Sequence, residues 1–343
     1  MMRESGIARR PGRRSAATLV VAAALVVASV PVAAVATFRS AGPHPAPAAG
    51  APPEFAPGVL VAAGDVACDP RSSMFAHGHG TATWCRAADT ASLIRSIDPD
   101  VVLPLGDEQY DDGRITKFRR SYDASWGTFL DRTRPVPGNH EYGVHGAAGY
   151  FRYFGAEAGP TGRGWYSYDL AGWHLVALNS NCDQVGCLAG SPQYRWLAAD
   201  LRAHPAACTL AYFHHPRFSS GPHGNDPEAA WTRDLWRLLY ARGADVILNG
   251  HDHLYERFAP MNPAGTVDRA TGIREFVVGT GGAEHYWVDQ VRWASQVRNA
   301  DTFGVLQLTL RTDAYGWRFV PVAGGSFEDS GFGRCHGAPG AAA

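Results

Sequence analysis

Short apolar runs that stop at a glycine and a polar residue recur along this chain, with amphipathic stretches between them. The run "GVLVAAGD" (58–65) precedes the helix-patterned "TASLIRSI" (90–97), and "DVVLPLGD" (100–107) precedes the helix-patterned "ITKFRRSYDASWGTFL" (115–130) and then "TRPVPGNHE" (133–141). Further on, "GWYSYDLAGWHLVALNSN" (164–181) predicts a hairpin and "SPQYRWLAADLRAH" (191–204) a helix. "CTLAYFHHP" (208–216), a second helix "EAAWTRDLWRLLYARG" (228–243) and "ADVILNGHDH" (244–253) follow. Strand, polar tip, helix is the order of an α/β protein, in which functional groups gather at the carboxyl ends of the strands. The segments 274–282, 302–312 and 316–324 are strand-patterned without helices between them, which predicts a second, partly antiparallel sheet packed on the first.

The first 36 residues follow another pattern. A basic "RRPGRR" precedes an almost wholly apolar run (16–36) that closes on "AVA", the form of an export signal with small-residue cleavage. An uncleaved membrane anchor is the alternative, because the run is about long enough to span a bilayer at ~1.5 Å per residue. Arg13 and Arg14 admit either general or twin-arginine export. Residues 37–58, rich in Pro and Ala, predict an extended linker, residues 59–335 one folded domain, and residues 336–343 a tail.

A hydrophobic content of 45% over 343 residues suits a large core, and the formal net charge of -1 gives no footprint for nucleic acid. Residues 1–36 carry five Arg and one Glu, so their removal takes the chain from -1 to -5. Six cysteines in a chain expected to leave the cytoplasm predict disulfides; proximity alone suggests Cys68–Cys85 and Cys182–Cys187. A zinc cluster is the rival, but no Cys-x-x-Cys occurs.

The polar tips in chain order are Asp65, Asp107 with Tyr110, Asn139 with His140, His214, and His251 with His253. Singly, each is also an ordinary turn, cap or packing residue. Together they offer oxygen and imidazole ligands enough for two metal ions that share one carboxylate. That combination points to a dinuclear hydrolase. No Gly-x-Ser-x-Gly elbow and no P-loop compete with it.

The series GD, GDxxY, GNHE, HxP and GHxHxYER, met by Asp65, Asp107 with Tyr110, Asn139–Glu141, His214 with Pro216, and His251–Arg257, resembles the calcineurin-like metallophosphoesterases, and within them the purple acid phosphatases. The resemblance implies a four-layer αββα sandwich of two mixed β-sheets flanked by helices, with a dinuclear metal site at the carboxyl ends of the strands. It places Asp65, Asp107, Tyr110 and His253 on one ion and Asp107, Asn139, His214 and His251 on the other, with Asp107 bridging. Most such sequences begin Asp-x-His, whereas Val66 and Ala67 follow Asp65 here, and Tyr110 takes the place of the missing ligand. A phenolate donor implies Fe(III) at that site and a divalent Zn, Mn or Fe at the second.

In the same resemblance His140 faces the phosphate, and His223 takes the position of a substrate-facing histidine; a second adjacent histidine found in some members is Gly224 here. Alternation along the strand predicts that His215 turns away from His214 and packs behind the ligands instead of joining them. The implied activity is hydrolysis of small phosphate monoesters by attack of metal-bound hydroxide, in an exported protein with no nucleic-acid partner and no stable membrane insertion once the signal is cleaved. A phosphodiesterase or nucleotidase on the same metals, and an exported metal-binding module without turnover, are the alternatives. The residues do not fix the oligomeric state.

Overall fold

The computed structural model describes residues 55–337. The expected signal, the linker as far as residue 54 and the last six residues of the tail lie outside that range. Gly58, the expected end of the linker, opens the first strand.

Twelve strands form two mixed sheets among the described residues. They are β1 (Gly58–Ala63), β2 (Val101–Pro104), β3 (Tyr166–Leu170), β4 (Trp173–Ala177), β5 (Cys208–Tyr212), β6 (Val246–Asn249), β7 (Tyr255–Phe258), β8 (Arg274–Val278), β9 (Ser295–Asn299), β10 (Gly304–Arg311), β11 (Ala314–Pro321) and β12 (Ser330–Arg334). The five-stranded sheet runs β12-β11-β10-β1-β2 and the seven-stranded sheet β3-β4-β5-β6-β8-β7-β9. β1 pairs in parallel with β2 and antiparallel with β10, so the two ends of the domain share a sheet. In the larger sheet β4, β5, β6 and β8 are parallel neighbours.

Alternation along β5 and β6 builds the layers. Leu210, Tyr212, Val246 and Leu248 join a core with Leu306, Leu308 and Leu310 of β10, while Ala211, Phe213 and Ile247 face Leu197, Leu235, Trp236 and Leu239 of the helices Pro192–Ala203 and Arg233–Ala241. The helix Ala87–Ile97 adds Ala87, Ala91 and Ile94 to the first core. The result is the expected helix, sheet, sheet, helix order. Each fully buried Leu, Ile or Phe contributes about 1.5–3 kcal/mol.

Local signals explain most elements. Ser191 caps the helix Pro192–Ala203 by accepting the Tyr194 N–H at 3.2 Å, with Pro192 in its first turn. The β3–β4 hairpin turns on Ala171 and Gly172, both at positive φ. Expectations for three segments fail: 115–130 is not a continuous helix but a four-residue turn of helix, Ile115–Phe118, and a separate 3-10 segment, Trp126–Arg132; 228–243 is divided at Thr232 into Pro227–Trp231 and Arg233–Ala241; and β8 pairs with β6 in the larger sheet, not with β10. Ser121 donates to the Cys68 carbonyl at 2.7 Å, and Ser125 leaves helical geometry, so tertiary hydrogen bonds and turn residues override the periodicity.

Candidate metal centre

Each expected tip follows the end of a strand. Asp65 lies two residues after β1, Asp107 and Tyr110 follow β2, His214 follows β5, and His251 and His253 follow β6. Asn139 ends an extended stretch along β2, where the Arg134 N–H donates to the Val102 carbonyl and the Val136 N–H to Pro104. The carboxyl ends of both sheets meet here: the Gly64 N–H donates to the Val278 carbonyl at 2.8 Å and the His251 N–H to Asp65 Oδ2 at 2.9 Å. Asp65, Asp107 and His251 all hold positive φ, a conformation that L-residues keep only where the surroundings impose it. Gly138 is dictated by contact, since a Cβ there collides with Asp107 Oδ1.

Two donor groups share one carboxylate. On one side the Tyr110 hydroxyl lies 2.9 Å from Asp65 Oδ1, 3.1 Å from Asp107 Oδ2 and 2.9 Å from His253 Nε2. On the other, His214 Nε2 lies 3.3 Å from Asp107 Oδ2, 3.1 Å from Asn139 Oδ1 and 3.2 Å from His251 Nδ1. Donor atoms of Asp65, Asp107 and His214 all fall within 4.8 Å of one another. The seven residues expected as ligands therefore lie close together around Asp107.

The donor chemistry fits two cations. His214 Nδ1 is held on the Leu105 carbonyl and His253 Nδ1 on that of Glu284, each at 2.8 Å, so both Nε2 lone pairs face the carboxylates. Burial and then the neighbouring His215, His214 and His223 hold His251 well below the usual histidine value, which keeps it a neutral donor. Burial by itself raises Asp107, but His214 and His140 outweigh it and hold the carboxyl well below its ordinary range. Conversely, burial lowers His214 while Asp107 pulls it up to about 9. Burial and the Asp107 and Asp65 charges push the Tyr110 phenol well up. A cation bound here would oppose the raising of His214 and Tyr110 and add to the lowering of Asp107 and His251, favouring the donor form of all four.

His140 stands at the rim. Its N–H donates to Asp107 Oδ1 at 2.9 Å, its Nδ1 lies 2.7 Å from the Asp111 carbonyl, and its Nε2 lies 3.8 Å from Asp107 Oδ2. His223 approaches from the opposite loop, its ring centre 4.4 Å from that of His251. Asp226 Oδ2 lies 2.6 Å from His223 Nδ1, and Asp252 Oδ1 accepts the His223 N–H at 3.1 Å, so Asp252 fastens the loop.

Three features were not foreseen. His215 does not turn away: β5 ends at Tyr212, strand alternation lapses, and the buried His215 ring packs 4.5 Å from His251 with Nδ1 2.8 Å from Ser180 Oγ. Glu141 props the bridging loop by accepting the N–H groups of Asp107, Gly138 and Gln109. Tyr286 stacks on His253 at 3.9 Å and lines a groove of about 530 Å³ with Tyr110, His140, Arg71, Trp84 and Glu284.

The sequence model of the calcineurin-like phosphoesterase family matches residues 60–255. The chain is 28% identical over 203 residues to purple acid phosphatase 15 of Arabidopsis thaliana, covering 49% of this chain and 38% of that protein. It is 30% identical over 200 residues to purple acid phosphatase 22 of the same plant, covering 52% of this chain and 43% of the other. The chain thus spans less than half the length of these relatives. In fold it is similar to a purple acid phosphatase from yellow lupin (Lupinus luteus) seeds, with a TM-score of 0.63 at 19% identity over 81% of this chain and 54% of that one. With more than half of its length matched, on a fold that carries the paired donor sets, the chain belongs to the calcineurin-like phosphoesterase family.

Proposed function

We propose that this protein is an exported dinuclear metallophosphatase, similar to the purple acid phosphatases, that hydrolyses small phosphate monoesters. One observation carries the reading: Asp107 Oδ2 stands between Tyr110 Oη at 3.1 Å and His214 Nε2 at 3.3 Å, so a single carboxylate serves both donor sets. Asp65, Asp107, Tyr110 and His253 would hold Fe(III), and Asp107, Asn139, His214 and His251 a divalent Zn, Mn or Fe. When bound, two such ions lower the pKa of water, neutralise phosphate oxygens and align the attacking and leaving groups.

The chain's own residues supply the rest. His140, with Nδ1 against a carbonyl, directs Nε2 at the site and donates to the phosphate or the leaving oxygen. Burial lowers its imidazole, but Asp107 and the Asp111 carbonyl outweigh that and raise it in the metal-free site. His223 holds its Nδ1 on Asp226 and offers Nε2 to the same oxygen. Three disulfides, Cys68–Cys85, Cys182–Cys187 and Cys208–Cys335, support export, as does the apolar N-terminal segment. No helix among the described residues is long and apolar enough to cross a membrane.

The test is turnover of p-nitrophenyl phosphate against bis(p-nitrophenyl) phosphate by protein reconstituted with iron and zinc. The monoester should be preferred. Preference for the diester would make the protein a phosphodiesterase, and two bound metals without turnover of either would leave a metal-binding module.

A further inference from the structure

Beside the groove at the metal centre lies a smaller recess of about 180 Å³, walled by Pro70, Arg71, Arg114, Thr116, Lys117 and Arg120. Arg71 lines both cavities, so the recess opens next to the wall that carries Tyr110 and His140. Its charges do not cancel. Lys117 Nζ, on a side chain only 7% exposed, lies 2.8 Å from Asp69 Oδ2 and 3.1 Å from Asp112 Oδ2. The same two carboxylates also serve Arg71, whose guanidinium lies 2.8 Å from Asp69 Oδ2, and Arg114, 3.7 Å from Asp112 Oδ2. Arg120 has no carboxylate within ion-pair distance among the described residues. Asp111 shares the groove wall with Arg71, so three acids face four cations and an excess of one remains, carried at Arg114 and Arg120.

The backbone that carries these side chains is fixed, while the guanidinium ends of Arg71, Arg114 and Arg120 are exposed. The Tyr110 N–H donates to the Ala67 carbonyl at 2.8 Å, Ser121 to that of Cys68 at 2.7 Å, and the Cys68–Cys85 disulfide closes the segment that bears Asp69 and Arg71. A surplus of cations in a concave wall focuses the field on a small anion, and guanidinium forks match phosphate oxygens two at a time. Nothing in monoester hydrolysis itself needs this second cationic recess.

We infer that the recess binds a second phosphate of the substrate. The preferred substrate is then a small organic molecule with two phosphate groups, one presented to the metal centre and the other held by Arg114 and Arg120, since the Arg71 fork is already taken by Asp69. This rests on the phosphatase reading above.

The test compares kcat/KM of the metal-loaded protein on alkanediol monophosphates and on the bisphosphates of the same diols, over a series of chain lengths. At the best length the bisphosphate should be favoured about ten-fold through KM, beyond the statistical factor of about two for its equivalent ends. In Arg114→Ala/Arg120→Ala that preference should fall to the statistical factor, and Arg114→Lys/Arg120→Lys, which keeps the charge but not the forks, should retain only part of it. Salt raised from about 50 to about 500 mM should erase it in the unaltered protein, which guards against a variant that misfolds. Turnover without preference at every length, or a preference that survives both the Ala substitutions and salt, overturns the recess alone. No turnover of any ester sinks the phosphatase reading, and the recess with it.

Discussion

Asp107 concentrates the chemistry of the site, and its neighbours explain how one carboxylate is kept ionised and aimed while buried. Its Oδ1 takes the His140 N–H, its own N–H is held by Glu141, and the absence of a side chain at Gly138 leaves it room. Such residues were legible in the sequence because each one ends an apolar run. Glu141 and Tyr286 were not assigned roles and His215 was expected to turn away, because their positions depend on contacts between distant segments: the end of β5 against the 249–253 loop, or 284–286 against His253. At this scale His140 separates function from assembly. His140→Ala should lower kcat about 10²- to 10³-fold with little change in KM or metal content, read by steady-state kinetics and elemental analysis.

At the scale of elements, the hairpin and the Ser191-capped helix could be read from local chemistry, whereas 115–130 could not, since its break is made by hydrogen bonds to residue 68. A buried ion network ties two of these elements together. His174 of β4 places Nδ1 2.8 Å from Asp169 of β3 and Nε2 2.8 Å from Asp200 of the helix Pro192–Ala203. Burial alone lowers His174, but Asp200 and Asp169 outweigh it and raise it; burial raises Asp200, but His174 and Ser167 outweigh it and lower it. The raised histidine stabilises fully below its unfolded value of about 6.5 and loses this as pH rises through its folded value; the depressed carboxyl stabilises above about 3.9 and loses this as pH falls. His174→Gln should therefore lower Tm more at about pH 5.5 than at about pH 9, measured by thermal denaturation at both.

Over the whole molecule, alternating runs foretold two sheets but not their membership: β1 and β2 join β10, β11 and β12 because parallel pairing with β2 leaves the other edge of β1 to β10. The third disulfide, Cys208–Cys335, was equally invisible because its partners are 127 residues apart and meet only once β5 and the C-terminal strand are packed. It joins the seven-stranded sheet to the segment after β12. A Cys208→Ser/Cys335→Ser variant should lose about 2–5 kcal/mol in denaturant unfolding yet keep its metals and turnover at 25 °C under native conditions.

The most direct test of the two-metal centre is the metal content per chain of the purified protein and of Asp107→Asn. Two ions per chain, one of them iron, falling to fewer than one on removal of the shared carboxylate charge, is the predicted result. A single ion in an active protein, or two ions retained by Asp107→Asn, would contradict it.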